Sequence, residues 1–224
     1  MFNKKYISSI TISRGETIES VLSNEHNSPL IDEMILTNPN VKYDFTNLPI
    51  TVRKLIFHYT FVNNPTDIPE FVKEVEFYYY VCPLENLPTN INHVIISNGF
   101  NHPVDNLGNN FITIGFGDSF NQDISNLPSS LEKIILGYMF THSINNLPDS
   151  IKFLRLHNPN YEHNSIQKLP KSIILFQIGI RNIDLVLNLN SSPLDKKHYH
   201  IREKNFGLSC DATGCDYFNN FYFY

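Results

Sequence analysis

Four side chains near the C-terminus are of the kinds that hold zinc: His198, His200, Cys210 and Cys215. A Cys-x4-Cys pair falls within the looser range of zinc-site spacings. The two histidines stand only two apart, however, and no second cysteine pair completes a tetrahedral set, so no metal is expected and free thiols are the plainer reading. Gly115-Phe116-Gly117 comes nearest to a phosphate loop, yet it sits in a strand pattern with no helix behind it to present amide dipoles to a phosphate. No serine elbow, paired carboxylates or nucleophile beside a base can be found. The nine histidines are dispersed. His58 and His157 share one position of a repeating pattern, which makes them a surface column rather than a site. These residues point to a chain without catalysis, cofactor or metal.

The elements that would have to position any site are strands. One alanine (Ala212) and no tryptophan stand against 29 asparagines and 26 isoleucines. Alanine is the best helix former and asparagine a poor one, while isoleucine favours strands. The hydrophobic fraction of 42% is that of a globular chain. A net charge of −5 and scattered lysines and arginines provide no basic stripe for nucleic acid. No apolar run reaches the roughly 20 residues of a membrane span, and the opening Met1-Phe2-Asn3-Lys4-Lys5 lacks the look of a secretory leader. Three cysteines are an odd number and no disulfide framework, so a reducing, cytoplasmic setting is expected.

A repeat organises the middle of the chain. Leu-Pro or Ile-Pro recurs at Pro49, Pro69, Pro88, Pro128, Pro148 and Pro170, with Gly108 filling the gap, at steps of 20, 19, 20, 20, 20 and 22 residues. Three past each of these comes an apolar residue, from Val52 to Ile173. Six past come Leu55, Val75, Val94, Ile114, Ile134, Leu154 and Phe176. Eight past come Phe57, Phe77, Ile96, Phe116, Leu136, Leu156 and Ile178. Phe61, Phe100, Phe120 and Phe140 stand twelve past, with Tyr161 one place late, and Pro65, Val104, Ile124 and Ile144 close most coils. Positions six and eight are two apart, which is strand alternation with one inward face. The roughly ten residues left before the next proline are too few for a helix and two turns. The expected fold is an all-β-leaning repeat solenoid with one short parallel strand per coil of about 20 residues and little or no helix. Asn101 and Asn121, after the aromatic, are expected to satisfy turn backbone in their own and adjacent coils, as a buried asparagine ladder does.

The three-six-eight spacing reappears at Ile7, Ile10, Ile12 and at Ile31, Met34, Leu36. Residues 1–46 are therefore read as degenerate coils forming an N-terminal cap, 47–187 as the repeats, and the polar then aromatic 188–224 as a C-terminal cap. Strand alternation turns the residues five and seven past proline away from the core. Among these are Lys54, Ile56, Glu74, Glu76, His93, Ile95, Lys133, Ile135, Phe153, Arg155, Leu175 and Gln177, flanked by His58, Tyr78, Tyr79 and His157. Apolar anchors within a charged rim resemble a protein-binding patch. The candidate binding residues are Ile56, Glu76, Tyr78, Ile95, Ile135, Phe153, Arg155 and His157. Beta-branched residues also support a parallel sheet whatever faces them, which is the alternative account of the same isoleucines.

The run from Leu127 to Gly137, Leu-Pro-Ser-Ser-Leu-Glu-Lys-Ile-Ile-Leu-Gly, followed by Phe140 and Ile144, resembles the FNIP repeat, as does Phe116 to Ile124. This short relative of the leucine-rich repeat is abundant in social amoebae and in giant DNA viruses that infect amoebae, and the framework is also similar to 20-residue repeats of bacterial effectors. The signature tetrapeptide departs in Phe61-Val62-Asn63-Asn64-Pro65 and in Phe140-Thr141-His142-Ser143-Ile144. The resemblance implies a leucine-rich-repeat-like interaction module with an unidentified protein partner; self-assembly is the alternative. Some viral members carry an N-terminal F-box that recruits a ubiquitin ligase; here repeat-like spacing already occupies residues 1–46, which weakens that role. The asparagine- and isoleucine-rich composition suits a viral chain acting in host cytoplasm. Elemental analysis of the purified chain is expected to find only substoichiometric zinc; one zinc per molecule would restore the His198–Cys215 site.

Overall fold

Nine strands, all parallel, line up in chain order to form one sheet in the computed structural model, which describes residues 6–24, 30–162 and 166–178. They are β1 (Tyr6–Ile12), β2 (Leu30–Leu36), β3 (Lys54–Thr60), β4 (Glu74–Tyr79), β5 (His93–Asn98), β6 (Thr113–Phe116), β7 (Lys133–Leu136), β8 (Phe153–Leu156) and β9 (Leu175–Ile178). Among the described residues each strand pairs only with its predecessor and successor, and the pairing joins equivalent repeat positions: Leu55 to Val75 to Val94 to Ile114 to Ile134 to Leu154 to Phe176. One strand per coil and an irregular return make this a β-solenoid. The two N-terminal patterns are strands of the same sheet, with Ile7, Ile10 and Ile12 opposite Ile31, Met34 and Leu36. Among the described residues helix is confined to α1 (Ile18–Asn24), in the first return, and to 3-10 turns at Pro65–Asp67 and Leu84–Asn86. The C-terminal cap expected over 188–224, and with it His198, His200, Cys210 and Cys215, lies outside the described residues.

The inward positions six and eight past proline are buried from Leu55 through Phe176. Behind them runs a spine of rings. Phe57 stacks on Phe77 at 5.3 Å, Phe77 on Tyr80 at 4.4 Å and Tyr80 on Phe100 at 6.4 Å. The spine continues from Phe100 to Phe120 to Phe140 to Tyr161 at 5.9, 6.2 and 6.3 Å, with planes near parallel. Tyr80 holds the place that an aromatic twelve past proline holds elsewhere. It comes one residue early because the coil after Pro69 has 19 residues rather than 20, and Leu84 closes that coil one residue early for the same reason. Tyr161 is late in the 22-residue coil.

Backbone groups of the returns have to be satisfied from coil to coil. Two past proline stands Asn90, Asn110, Ser130, Ser150 or Ser172, and each donates to the carbonyl three past proline in the preceding coil: Val72, Ile91, Phe111, Leu131 and Ile151, at 2.6–2.8 Å. A second ladder uses asparagine. Buried Asn63 accepts from the Tyr43 amide and donates to the Tyr43 carbonyl. Asn38 does the same for Gly15 and Glu16, and Asn158 donates to Phe140. The asparagines after the ring act as expected but at the surface: Asn101 accepts from the Asn121 amide and Asn121 from the Thr141 amide, at 2.8 and 2.9 Å.

Two glycines are required by packing. A Cβ on Gly117 would lie 1.8 Å from the Ser97 carbonyl oxygen, and one on Gly137 would lie 2.2 Å from the Gly117 carbonyl oxygen. Both stand nine past the repeat proline or its substitute Gly108, where the chain leaves the sheet. In these coils β6 and β7 stop after four residues, whereas β3, with His58 at that place, runs for seven. Gly115 differs, because its added Cβ would meet the flexible Cδ1 of Ile95 at 2.7 Å. Gly117→Ala is therefore expected to destabilise the chain by roughly 3 kcal/mol or more, in the severe tail for point changes, and Gly115→Ala by under about 1 kcal/mol. Urea denaturation followed by circular dichroism measures both, and equal effects would contradict the close approach.

Candidate protein-binding face

The outward positions form two columns across the sheet. Five past proline, or at its equivalent, run Ser9, Glu33, Lys54, Glu74, His93, Thr113, Lys133, Phe153 and Leu175; seven past run Thr11, Ile35, Ile56, Glu76, Ile95, Gly115, Ile135, Arg155 and Gln177. All eight candidate residues lie on this face or its border, since Tyr78 and His157 stand nine past proline. The sheet thus brings them into one band. It does not leave them equally open. Ile56 is 4% and Ile135 2% exposed and the Glu76 side chain is largely buried, whereas Ile95, Phe153 and Arg155 are half-buried. Neighbouring strands are about 4.8 Å apart, so an outward side chain is walled in on both sides. Ile95 leans across the bare Gly115 and fills the space beside Ile135. A crease bordered by Lys133, Ile135, Phe153, Arg155, Leu175 and Gln177 has about 170 Å³ of open space but no room for a water-sized sphere, so it is surface relief rather than a ligand cavity.

Charge is laid out unevenly along the band. On β2–β4 the Lys54 ammonium lies 2.6 Å from Glu76 and 3.3 Å from Glu33, all three side chains at least four-fifths buried. Burial pulls the Lys54 pKa down, but Glu76 and Glu33 more than offset this and hold it above the ordinary lysine value. Burial pushes the Glu76 carboxyl up; Lys54 opposes that, and Glu33 and Glu74 add to it. On β7 and β8 the situation reverses. Burial and then the neighbouring Arg155 pull the Lys133 pKa down, with Glu74 and Glu76 acting against them from two strands and more away. One end of the face is acidic and the other basic.

His58 and His157 were expected as a surface column. Both are instead half or more covered, His58 within β3 and His157 just past the end of β8. His157 Nε2 is buried without a hydrogen-bond partner. Burial, with the Arg155 charge, pushes its pKa down to about 4, slightly opposed by Asp118. Among the described residues no cluster of histidine, cysteine, aspartate and glutamate could hold a metal, and no helix is long and apolar enough to cross a membrane.

A parallel sheet with one strand per coil, aromatic and asparagine ladders behind it and a continuous outward face defines a solenoid of leucine-rich-repeat type. Residues 100–139 and 126–159 match the FNIP repeat family model. The match falls on the coils with regular 20-residue steps and with Gly117 and Gly137 at the turn. The crystal structure of CroV588, a circular LRR protein, is similar over 77% of this chain at 18% identity with a TM-score of 0.47, and this chain spans 33% of its length. No curated protein sequence matches the chain.

The His157 shift has a definite pH consequence. Its folded pKa of about 4 lies below the ordinary 6.5, so its stabilising effect is complete above pH 6.5 and is lost as the pH falls toward 4. By linkage the full loss is on the order of 3 kcal/mol. Denaturation at pH about 7.5 and about 4.5 is expected to show a smaller difference for His157→Phe than for the wild type, by roughly 2–3 kcal/mol. Identical pH profiles would mean that His157 is solvated.

Proposed function

We propose that this chain is a protein–protein interaction module that binds a partner protein through the outward face of its parallel sheet, without catalysis. The observation that carries the reading is the band itself. Half-buried Ile95, Phe153 and Leu175 lie in one continuous surface among Glu76, Lys133 and Arg155, on a scaffold whose strands are joined in one hydrogen-bonded sheet. Rigid apolar anchors with charges around them are what interface centres use, since little ordering entropy is lost on docking. Tyr78 and His157 border the band, while buried Ile56 and Ile135 support the half-exposed residues beside them.

The occurrence of FNIP repeats in amoebae and their viruses supports a viral chain directed at a host factor. Cys82, a free thiol within the core's edge, supports a reducing, cytoplasmic compartment. The net charge of −5 supports a protein rather than a nucleic-acid partner.

Immobilised chain in an amoebal extract is expected to retain a defined protein that Ile95→Lys captures at least about tenfold less, with the variant melting within a few degrees of wild type. Ile135→Lys is the contrast: a charge placed at a 2% exposed position should lower stability by roughly 2–4 kcal/mol and says nothing about binding. Equal capture by wild type and Ile95→Lys would overturn the proposal.

A further inference from the structure

Of the 29 asparagines in the chain, Asn98 alone is followed by glycine. The backbone nitrogen after an asparagine is tethered within reach of that asparagine's side-chain amide carbon, so attack on it is intramolecular. A side chain on the attacking residue crowds the ring that forms, and proline has no N–H to give up. Asn38, Asn64 and Asn158 precede proline, and the remaining asparagines precede residues that carry a Cβ. The fold itself requires the glycine. Gly99 has φ +85°, and an added Cβ would lie 2.9 Å from the Tyr79 ring.

The same fold leaves the pair open to reaction. Asn98 is the last residue of β5, and Gly99 lies beyond the strand. The register of β5 with β6 ends at Ile96 and Phe116, so among the described residues Asn98 is paired in the sheet with β4 alone. Strand ends of this kind open locally at low cost. The Gly99 N–H donates to the exposed Ser119 hydroxyl at 3.4 Å rather than to a ladder carbonyl. Both residues are half-buried, within reach of water. The side-chain amides of Asn38 and Asn63, by contrast, are tied to backbone groups of the preceding coil.

We propose that Asn98 is a site of spontaneous modification in the folded chain, converting to aspartate and isoaspartate through a cyclic imide with Gly99. The Gly99 nitrogen gives its proton to hydroxide and bonds to Asn98 Cγ. The side-chain Cγ–N bond breaks, and the nitrogen leaves as ammonia with a proton from water. Water then opens the imide at either carbonyl. Cleavage at Cγ gives aspartate, and cleavage at the backbone carbonyl gives isoaspartate, with the main chain now running through Cβ and Cγ. One nitrogen is lost, one oxygen enters from water, and nothing is oxidised or reduced. Each product adds one negative charge. Aspartate suits the place, because Asp118 holds the equivalent position in the next coil and accepts from the Tyr138 amide at 3.0 Å. Isoaspartate does not. It turns the carbonyl that accepts from the Tyr80 amide at 3.1 Å into a side-chain carboxylate and lengthens the chain leading to the core ring of Phe100. This chemistry is independent of what the sheet face binds.

Ageing the folded full chain for weeks in mildly alkaline heavy-oxygen water, followed by peptide mapping with mass spectrometry, tests this. Asn98 is expected to lose its amide nitrogen and take up one heavy oxygen, giving both acids, at a rate that rises with pH. The other described asparagines are expected to react at least about tenfold more slowly. Asn98→Gln, which would have to close a larger ring, is expected to form the acidic variant at least about tenfold more slowly as well. The same chain aged in urea is the reference for the unfolded state. An Asn98 that keeps its amide in the folded chain but loses it in urea overturns the proposal, because the strand then protects it. So does an Asn98 that reacts in neither, or another described asparagine that reacts as fast in the folded chain.

Discussion

Adjacent strands in a hydrogen-bonded sheet are separated by about 4.8 Å, and here each such step has to contain a whole coil of about 20 residues. Side chains are consequently stacked on their counterparts one coil away, at close to the strand step on the sheet and about 6 Å in the ring spine behind it. Rings meet this condition by lying parallel, as Phe100, Phe120 and Phe140 do. Small polar groups meet it by reaching exactly one layer, as Ser130 and Ser150 do. Where backbone approaches backbone, only glycine meets it, as at Gly117 and Gly137. The same spacing that makes the core regular also makes it unforgiving: a misfit in one coil is passed to both neighbours, and stability becomes a property of contacts between coils rather than of any coil alone.

The parts of this architecture that follow from apolar period were legible in the sequence. Leu55, Val75, Val94, Ile114, Ile134 and Leu154 recur with a spacing that allows only an inward strand face, and each is buried. Tyr80 and Leu84 escaped the pattern because a 19-residue coil moves both one place early, although the short step itself was the signal. The ladder from Asn90 to Ser172 escaped for a different reason. A hydrophobic repeat says nothing about small polar residues, and only their shared place two past proline could have disclosed them. Gly117 was visible as a residue and not as a contact, since the carbonyl that excludes its Cβ lies 20 residues earlier. The face was legible as a set of positions; exposure within it was not. Whether Ile56 and Ile135 are covered depends on how neighbours such as Ile95 lean, which side-chain order in the sequence does not encode.

Crowding on the outward face also explains its electrostatics. In a column of stacked side chains a charge finds its neighbours imposed on it. Lys54 falls between two acids that outweigh its burial, while Lys133 loses part of its preference for the proton to burial and then to its neighbour Arg155. Opposite tendencies for the same side-chain type on one sheet come from nothing more than which coil carries which residue. The face acquires a direction along the solenoid, and a surface with a direction can distinguish how a partner lies upon it as well as whether it binds.

The serine ladder and the three buried asparagines point one way along the chain, while Asn92 donates forward to the Asn110 carbonyl. Ser130, Ser150 and Ser172 donate to carbonyls of the coil made before their own, and Asn38, Asn63 and Asn158 likewise reach back. A coil emerging from the ribosome thus finds its buried acceptors already in place on the layer beneath and depends on nothing still to be synthesised for them. Synthesis can lay down the solenoid layer by layer at the pace of translation, with one exposed end at a time, rather than waiting for the finished chain to collapse.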